Sequence, residues 1–360
     1  MHTQRIGVLT SGGDCPGLNA VLRGVTKAAE KLGWQVIGFQ DGFEGLLPPA
    51  QYFILDHFRT AGIMQQGGTI LGTTNRGHFG GKVGAGQKAR VPAEMIGKAR
   101  QTLAELGIAG LIVIGGDGSL SSALQLHEAG IPIIGVPKTI DNDLEATSMT
   151  FGFFSAVECV TEALDRLHST AMSHKRIMVL EVMGRNVGWI ALYGGVAGGA
   201  DIILLPEIPF QWEKIADTVR QRDAQGYLST MIVVAEGASP EDGEKLVYHS
   251  SAVGENRLGG IGEMVTRDVA KRTGKESRCC VLGHLQRGGA PTTFDRLLAT
   301  RFGVKAVQLI AEKKFGMMVS YGNDQTKAVP IAEAVHRLRF VDPNDQMVET
   351  AREIGIRFGD

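Results

Sequence analysis

Ile6-Gly7-Val8-Leu9-Thr10 runs straight into Ser11-Gly12-Gly13-Asp14-Cys15-Pro16-Gly17, and Leu18 to Lys31 follows with apolar residues at helical spacing. The apolar run reads as a buried strand, the glycine-rich stretch as a loop and the last segment as a helix. The same grammar recurs downstream. Gln35 to Phe39 is strand-like, Ala93 to Glu105 helical, Gly110 to Ile114 a strand, Ser119 to Glu128 a helix and Ile131 to Val136 a strand. In the second half, strands are expected at Ile177 to Glu181, Ile202 to Leu205, Met231 to Ala235 and Cys279 to Leu282. Helices are expected at Val187 to Val196, Trp212 to Arg222, Gly260 to Arg272 and Arg296 to Glu312. Strands alternating with helices at this rhythm form βαβ units and parallel sheets. The expected fold class is α/β, with two similar Rossmann-like lobes, each a mostly parallel sheet flanked by helices.

The bulk properties agree with two lobes. A chain of 360 residues exceeds one ordinary core. Hydrophobic residues make up 43%, charged residues 21%, and the formal net charge is −1. Such a balance does not advertise a nucleic-acid or membrane surface. No apolar stretch approaches the roughly 20 residues of a membrane span, and the start reads directly into a strand rather than a signal peptide. The 49 glycines stand out and point to tight turns or close backbone approach to a ligand. Cys15, Cys159, Cys279 and Cys280 lack CxxC spacing and read as buried reduced thiols. Gly77 to Ala89, with Lys82 and Lys88, reads as a basic loop, either plain surface or a ligand lid.

Ligands of open parallel sheets bind beyond the carboxyl ends of the strands. Three loops qualify. In Ser11 to Gly17, glycines let the backbone approach a phosphate at a helix N-terminus; alone, it reads equally as a tight turn. Gly115-Gly116-Asp117-Gly118-Ser119 leaves room for a nucleotide phosphate and offers Asp117 to Mg²⁺, while Ser119 also reads as a helix N-cap. Pro137-Lys138-Thr139-Ile140-Asp141-Asn142-Asp143 sets two carboxylates beside a lysine and a threonine. A hydroxyl attacking phosphorus needs a base, and the phosphoryl group needs donors and positive charge. Asp141 suits the first task, Lys138 and Thr139 the second. Arg176, Arg185, Arg278 and Arg287 offer forks suited to a sugar phosphate, and Glu236 and His284 can bond sugar hydroxyls. Each of these taken singly reads as well as a surface or core residue.

Together the loops spell a known pattern. Gly7 to Asn19, Gly115 to Ser119, Thr139 to Asp143, Glu181 to Arg185 and Gly283 to Gly289 resemble, in this order, the 6-phosphofructokinase family. The likeness runs from about Ile6 to about Gly303. It implies an ATP-dependent enzyme with Mg²⁺ that phosphorylates the 1-hydroxyl of fructose 6-phosphate in glycolysis. It implies Asp141 as general base, Asp117 as the Mg²⁺-associated carboxylate and Asp143 as an accessory carboxylate. Gly12 and Thr139 would stabilise the transferred phosphoryl. Gly13, Gly116, Gly118 and Ser119 would line the nucleotide. Met183, Gly184, Arg185, Glu236, His284 and Arg287 match the sugar pocket. Arg176 and Arg278 match arginines that reach the sugar phosphate from a neighbouring subunit, which implies a homotetramer, here cytoplasmic. The implied lobes cover 1–152 with about 286–336, and 153–285 with about 337–360.

Two positions bear on the donor. Pyrophosphate-using members of the family carry aspartate where this chain has Gly118 and lysine where it has Lys138; simple ATP-using members carry glycine at both. A carboxylate at 118 would lie against the α-phosphate of ATP, so Gly118 favours ATP. Lys138 attracts either donor. The family's ATP-contacting arginine falls at Asn75, with Arg76 one residue later, so Arg76 is the candidate. The effector pocket is thinner than usual: Arg23 and Lys27 remain, His168 replaces an arginine, and Gln225 to Leu228 lacks lysines. The segment beyond Val341 matches nothing assigned. Three other readings compete. A nucleotide-binding protein without chemistry would not need Asp141. A nicotinamide oxidoreductase would need a GxGxxG in the first turn, which is absent. A lipid or NAD kinase shares the GGDG turn.

Overall fold

The computed structural model describes residues 3–74, 77–79, 90–243, 247–250 and 256–360. In chain order the elements are β1 (Arg5–Thr10), α1 (Leu18–Lys31), β2 (Gln35–Phe39), β3 (Tyr52–Leu55), α2 (Ala93–Glu105), β4 (Ile108–Gly115), α3 (Asp117–Glu128) and β5 (Ile133–Pro137). Next come α4 (Phe153–His174), β6 (Ile177–Val182), α5 (Trp189–Ala197), β7 (Ile202–Leu204), α6 (Trp212–Ala224), β8 (Thr230–Ala235), β9 (Val247–Ser250), β10 (Asn256–Leu258), α7 (Ile261–Thr273) and β11 (Ser277–Val281). The last are α8 (Thr293–Ala311), β12 (Met317–Gly322), β13 (Gln325–Pro330), α9 (Ile331–Ala334) and α10 (Gln346–Glu353). Contacts divide the chain into two units, Met1–Ser155 with Arg287–Leu338, and Ala156–Gln286 with Arg339–Asp360.

Unit 1 holds a seven-stranded sheet in the order β13-β12-β5-β4-β1-β2-β3. Its five inner strands pair in parallel, and β3 and β13 close the edges antiparallel. Covered on both faces, the central strands need apolar residues in continuous runs rather than alternation. Leu111, Ile112, Val113 and Ile114 accordingly show no exposed surface. Helices α1 and α8 lie close because glycines face backbone at the crossing. A Cβ on Gly24 would stand 2.8 Å from the Thr300 carbonyl oxygen, and one on Gly303 would stand 2.5 Å from that of Val21.

Unit 2 holds a parallel four-stranded sheet, β11-β6-β8-β7, and an antiparallel β9–β10 pair. The segment beyond Val341, unassigned from sequence, returns to this unit. Ile203 donates its amide to Arg357 O at 2.9 Å and Arg357 its amide to Asp201 O at 3.0 Å, which adds the segment beside β7. Phe358 is fully buried there. Among the described residues no helix is long and apolar enough to cross a membrane.

Several expectations need correction. Helix α4 and the β12–β13 hairpin had no counterpart in the sequence reading. The hairpin turns on Asn323 and Asp324, both at positive φ (50° and 56°), the conformation that suits a two-residue connection. Of the four free cysteines, Cys15 is buried, while Cys159, Cys279 and Cys280 are half-buried. Residues 80–89 of the basic loop, with Lys82 and Lys88, and Arg76 lie outside the described residues.

Candidate active site

Parallel strands β1, β4 and β5 are neighbours, so the three loops at their carboxyl ends come together in unit 1. Their ties are specific. Ser11 donates its amide to Ile114 O at 2.9 Å, Lys138 its amide to Gly115 O at 3.0 Å, and Ser119 its hydroxyl to Ser11 Oγ at 3.1 Å.

The loop after β1 bends at Gly12, whose φ of 84° favours glycine. The Gly12 amide donates to Thr74 O at 3.0 Å, and Thr73 Oγ1 donates to Gly12 O at 2.7 Å. Two cations hold the next two carbonyls. Lys138 Nζ donates to Gly13 O, and Arg287 Nη1 donates to Asp14 O at 3.0 Å. A Cβ on Gly13 would meet Arg287 Nη1 at 2.9 Å, so a side chain there would push the guanidinium aside. Lys138 is buried, and that burial lowers its pKa.

The loop after β4 differs from expectation at one residue. Helix α3 starts at Asp117, with Gly116 as its extended N-cap, so Ser119 is already inside the first turn and does not cap. Asp117 thereby stands at the positive end of the helix. A Cβ on Gly115 would meet Ser119 Cβ at 2.3 Å, which requires glycine there. A Cβ on Gly118 would meet nothing within 4 Å.

The loop after β5 is tied to itself. Asn142, at φ 51°, accepts from the Thr150 amide at 3.0 Å, and Thr150 Oγ1 donates to Thr139 O at 2.7 Å. Asp141 donates its amide to Thr139 Oγ1 at 3.1 Å. Asp143 Oδ1 is enclosed without a hydrogen-bond partner among the described residues. Burial first, then the charge of Asp141, pushes the Asp143 carboxyl up to about 7, and Asp117 adds to the push. A carboxyl raised from 3.8 to about 7 binds its proton more tightly folded than unfolded. Its contribution to stability is complete at low pH and is lost as pH rises towards 7. Asp143→Asn should therefore gain relative to wild type between pH 5.5 and 8.5, by about 2 kcal/mol or about 2–4 °C in Tm. Thermal unfolding of both proteins in metal-free buffer at the two pH values checks this. A difference that does not change with pH would contradict it.

Unit 2 gathers a second set. The Met183 amide bonds Gln286 Oε1 at 3.3 Å, Gly237 donates its amide to Gly184 O at 3.1 Å, and Glu236 its amide to Val182 O at 2.9 Å. Met183, Gly184, Arg185 and Glu236 thus share the carboxyl ends of β6 and β8. A Cβ on Gly184, at φ 142°, would meet Val187 O at 2.8 Å. His284 is exposed in the short turn after β11. Arg176 and Arg278 sit at the other end of the same sheet, before β6 and at the start of β11, roughly 20 Å away along the strands. Both grip Glu276: Arg176 Nε lies 2.8 Å from its carboxylate, and Arg278 Nη2 bonds its other oxygen. Of the thinned effector set, Lys27 pairs with Glu30 at 3.1 Å and His168 Nε2 lies 2.8 Å from Gly198 O.

Sequence reading missed two buried supports. Gln286, fully buried inside Gly283 to Gly289, holds Met183. Asp295, fully buried, accepts from the Ser155 amide at 2.7 Å and hydroxyl at 2.6 Å, where the chain leaves unit 1. The first lay within a quoted motif; a lone aspartate in α8 gave no signal.

The phosphofructokinase family profile matches residues 5–310. A Chloroflexus aggregans protein named ATP-dependent 6-phosphofructokinase is 53% identical over 357 residues, covering 99% of this chain and 98% of its own. A Streptomyces coelicolor protein named pyrophosphate–fructose 6-phosphate 1-phosphotransferase is 46% identical over 359 residues, covering 99% and 100%. The Pichia pastoris phosphofructokinase structure in the T-state superposes with a TM-score of 0.82 at 30% identity, over 99% of this chain and 37% of that one. By profile, by relatives over its full length and by fold, the chain belongs to the phosphofructokinase family.

Proposed function

We propose that the chain is an ATP-dependent 6-phosphofructokinase that makes fructose 1,6-bisphosphate and ADP. The observation that carries the donor assignment is the open space beside Gly118, at the first turn of α3 in the loop suited to a nucleotide phosphate. Relatives named for ATP and for pyrophosphate stand at 53% and 46% identity, so likeness alone does not choose between donors. Lys138 favours pyrophosphate by family habit; its ammonium is bonded to Gly13 O, and the room at Gly118 weighs more.

In the reaction, Asp141 accepts the proton of the sugar 1-hydroxyl. The sugar oxygen forms a bond to the γ-phosphorus, the bond from that phosphorus to the bridging oxygen breaks, and the electron pair leaves with ADP. The N-terminus of α3 supplies positive potential to the phosphoryl group, while Lys138 and Arg287 are bonded to the Gly13 and Asp14 carbonyls of the first loop. The Thr139 hydroxyl accepts the Asp141 amide and thereby fixes the base's approach.

The residues present fit Mg²⁺. The charges of Asp141 and Asp117 both act on Asp143, and one enclosed Asp143 oxygen lacks a partner among the described residues. Mg²⁺ beside a nucleotide takes most of its ligands from phosphates and water and needs only one or two carboxylates. Asp117 would hold it, and the bound ion would neutralise phosphate charge.

Met183, Gly184, Arg185, Glu236, His284 and Arg287 are assigned to fructose 6-phosphate. Arg176 and Arg278, at the far end of the unit 2 sheet, are assigned to the sugar phosphate of another copy in a cytoplasmic homotetramer. One assay tests the reading: fructose 6-phosphate and Mg²⁺ with either ATP or pyrophosphate. Turnover with ATP at least about tenfold above pyrophosphate is expected. The reverse order would give the pyrophosphate reading, and no turnover with either would leave a binding protein.

A further inference from the structure

Lys138 is buried, yet its ammonium is given to a main-chain oxygen rather than to a carboxylate. Holding a charge out of water costs several kcal/mol after relaxation, so a buried ammonium needs strong compensation where it sits. Two cations act on two successive peptides of one loop: Lys138 on Gly13 O and Arg287 on Asp14 O. In a trans peptide the N–H points opposite to the C=O. Fixing the Gly13 carbonyl therefore fixes the Asp14 amide, and fixing the Asp14 carbonyl fixes the Cys15 amide, each directed away from its cation. Amides fixed at successive positions of a turn can line an anion-binding concavity. Gly12 at φ 84° supplies the bend that precedes them.

We propose that Lys138 is a positioning residue that shapes the first glycine loop through the Gly13 carbonyl, so that its effect on phosphoryl transfer runs through the backbone and not through contact with the donor. This rests on the reading that the loop serves a donor phosphate. It also explains how a lysine associated with pyrophosphate use can sit in an ATP-using chain: its charge is taken up by the loop. Cys15, on the same loop, reports the packing of the loop through its accessibility. It is fully buried, Gly152 stands against its sulfur, and its thiol is pushed up to about 12, chiefly by burial.

The test uses the full chain with Lys138→Met and Lys138→Arg. Lys138→Met keeps the apolar stem and removes the charge. It should lower kcat with ATP by about tenfold or more, leave KM for fructose 6-phosphate within about twofold, and leave the ratio of ATP to pyrophosphate use unchanged. Lys138→Arg, which keeps a donor for the Gly13 oxygen, should recover most of kcat. In the absence of substrates, iodoacetamide labelling read by mass spectrometry should rise at Cys15 in Lys138→Met and stay at the wild-type level in Lys138→Arg. A donor ratio shifted by about tenfold in Lys138→Met would overturn the proposal in favour of direct donor contact. So would a Cys15 that stays unlabelled in Lys138→Met when the reaction is run at a pH raised to offset the lost Lys138 charge, which lowers the thiol pKa in the wild type. The labelling needs no turnover, so it still decides the role of Lys138 if the kinase assignment fails.

Discussion

Asp141→Asn is expected to lower kcat by roughly 10²–10⁴, the range a positioned general base contributes. The amide has nearly the shape of the carboxylate and cannot take the proton. The main-chain bond from residue 141 to Thr139 Oγ1, 3.1 Å, is untouched by the change, so the loop keeps its form. KM for fructose 6-phosphate should move far less than kcat. A second signature separates lost chemistry from a disturbed loop. The charge of Asp141 is the second-largest cause of the high Asp143 pKa, so removing it should let Asp143 ionise at lower pH. Steady-state kinetics, with the carboxyl titration followed by NMR, check both parts. Wild-type kcat in Asp141→Asn would remove Asp141 from the chemistry and pass the role to Asp143.

How far this was legible in the sequence depends on the range of the signals. The bounds of α1, β2 and α2 fall where periodicity and flanking glycines put them, because local patterns set them. Helix α4 was missed although it is 22 residues long, because it opens on Phe153 and Phe154 without a polar cap and runs across a boundary between units. Ser119 was misread as a cap because the true cap, Gly116, has no side chain to advertise itself. The three loops proposed to handle phosphate were legible as candidates, and their meeting followed from the parallel-sheet rule. The grip of Lys138 on Gly13 was not, since the two lie 125 residues apart and only strand order brings β1 and β5 close. Nor was the return of residues 339–360 to β7, which depends on main-chain pairing that no side chain signals.

Gly118→Asp should lower kcat/KM for ATP by about 10². The estimate follows from charge. A carboxylate about 5 Å from a phosphate oxygen, at an effective dielectric constant near 20, is opposed by about 3 kcal/mol, roughly a hundredfold. Misfolding is not an alternative cause. A Cβ at this position meets nothing within 4 Å, and residue 118 lies in the first turn of α3, where an acidic side chain complements the helix dipole. The variant should therefore melt no lower than wild type while it loses ATP use. Pyrophosphate has no α-phosphate to repel, so its use should fall less, and the ratio of pyrophosphate to ATP use should rise by about the same factor. Kinetics with both donors, beside a melting curve, measure each part. Unchanged ATP kinetics in a fully folded Gly118→Asp protein would mean that the α-phosphate does not pass over the first turn of α3, and the donor assignment would then lose its physical ground.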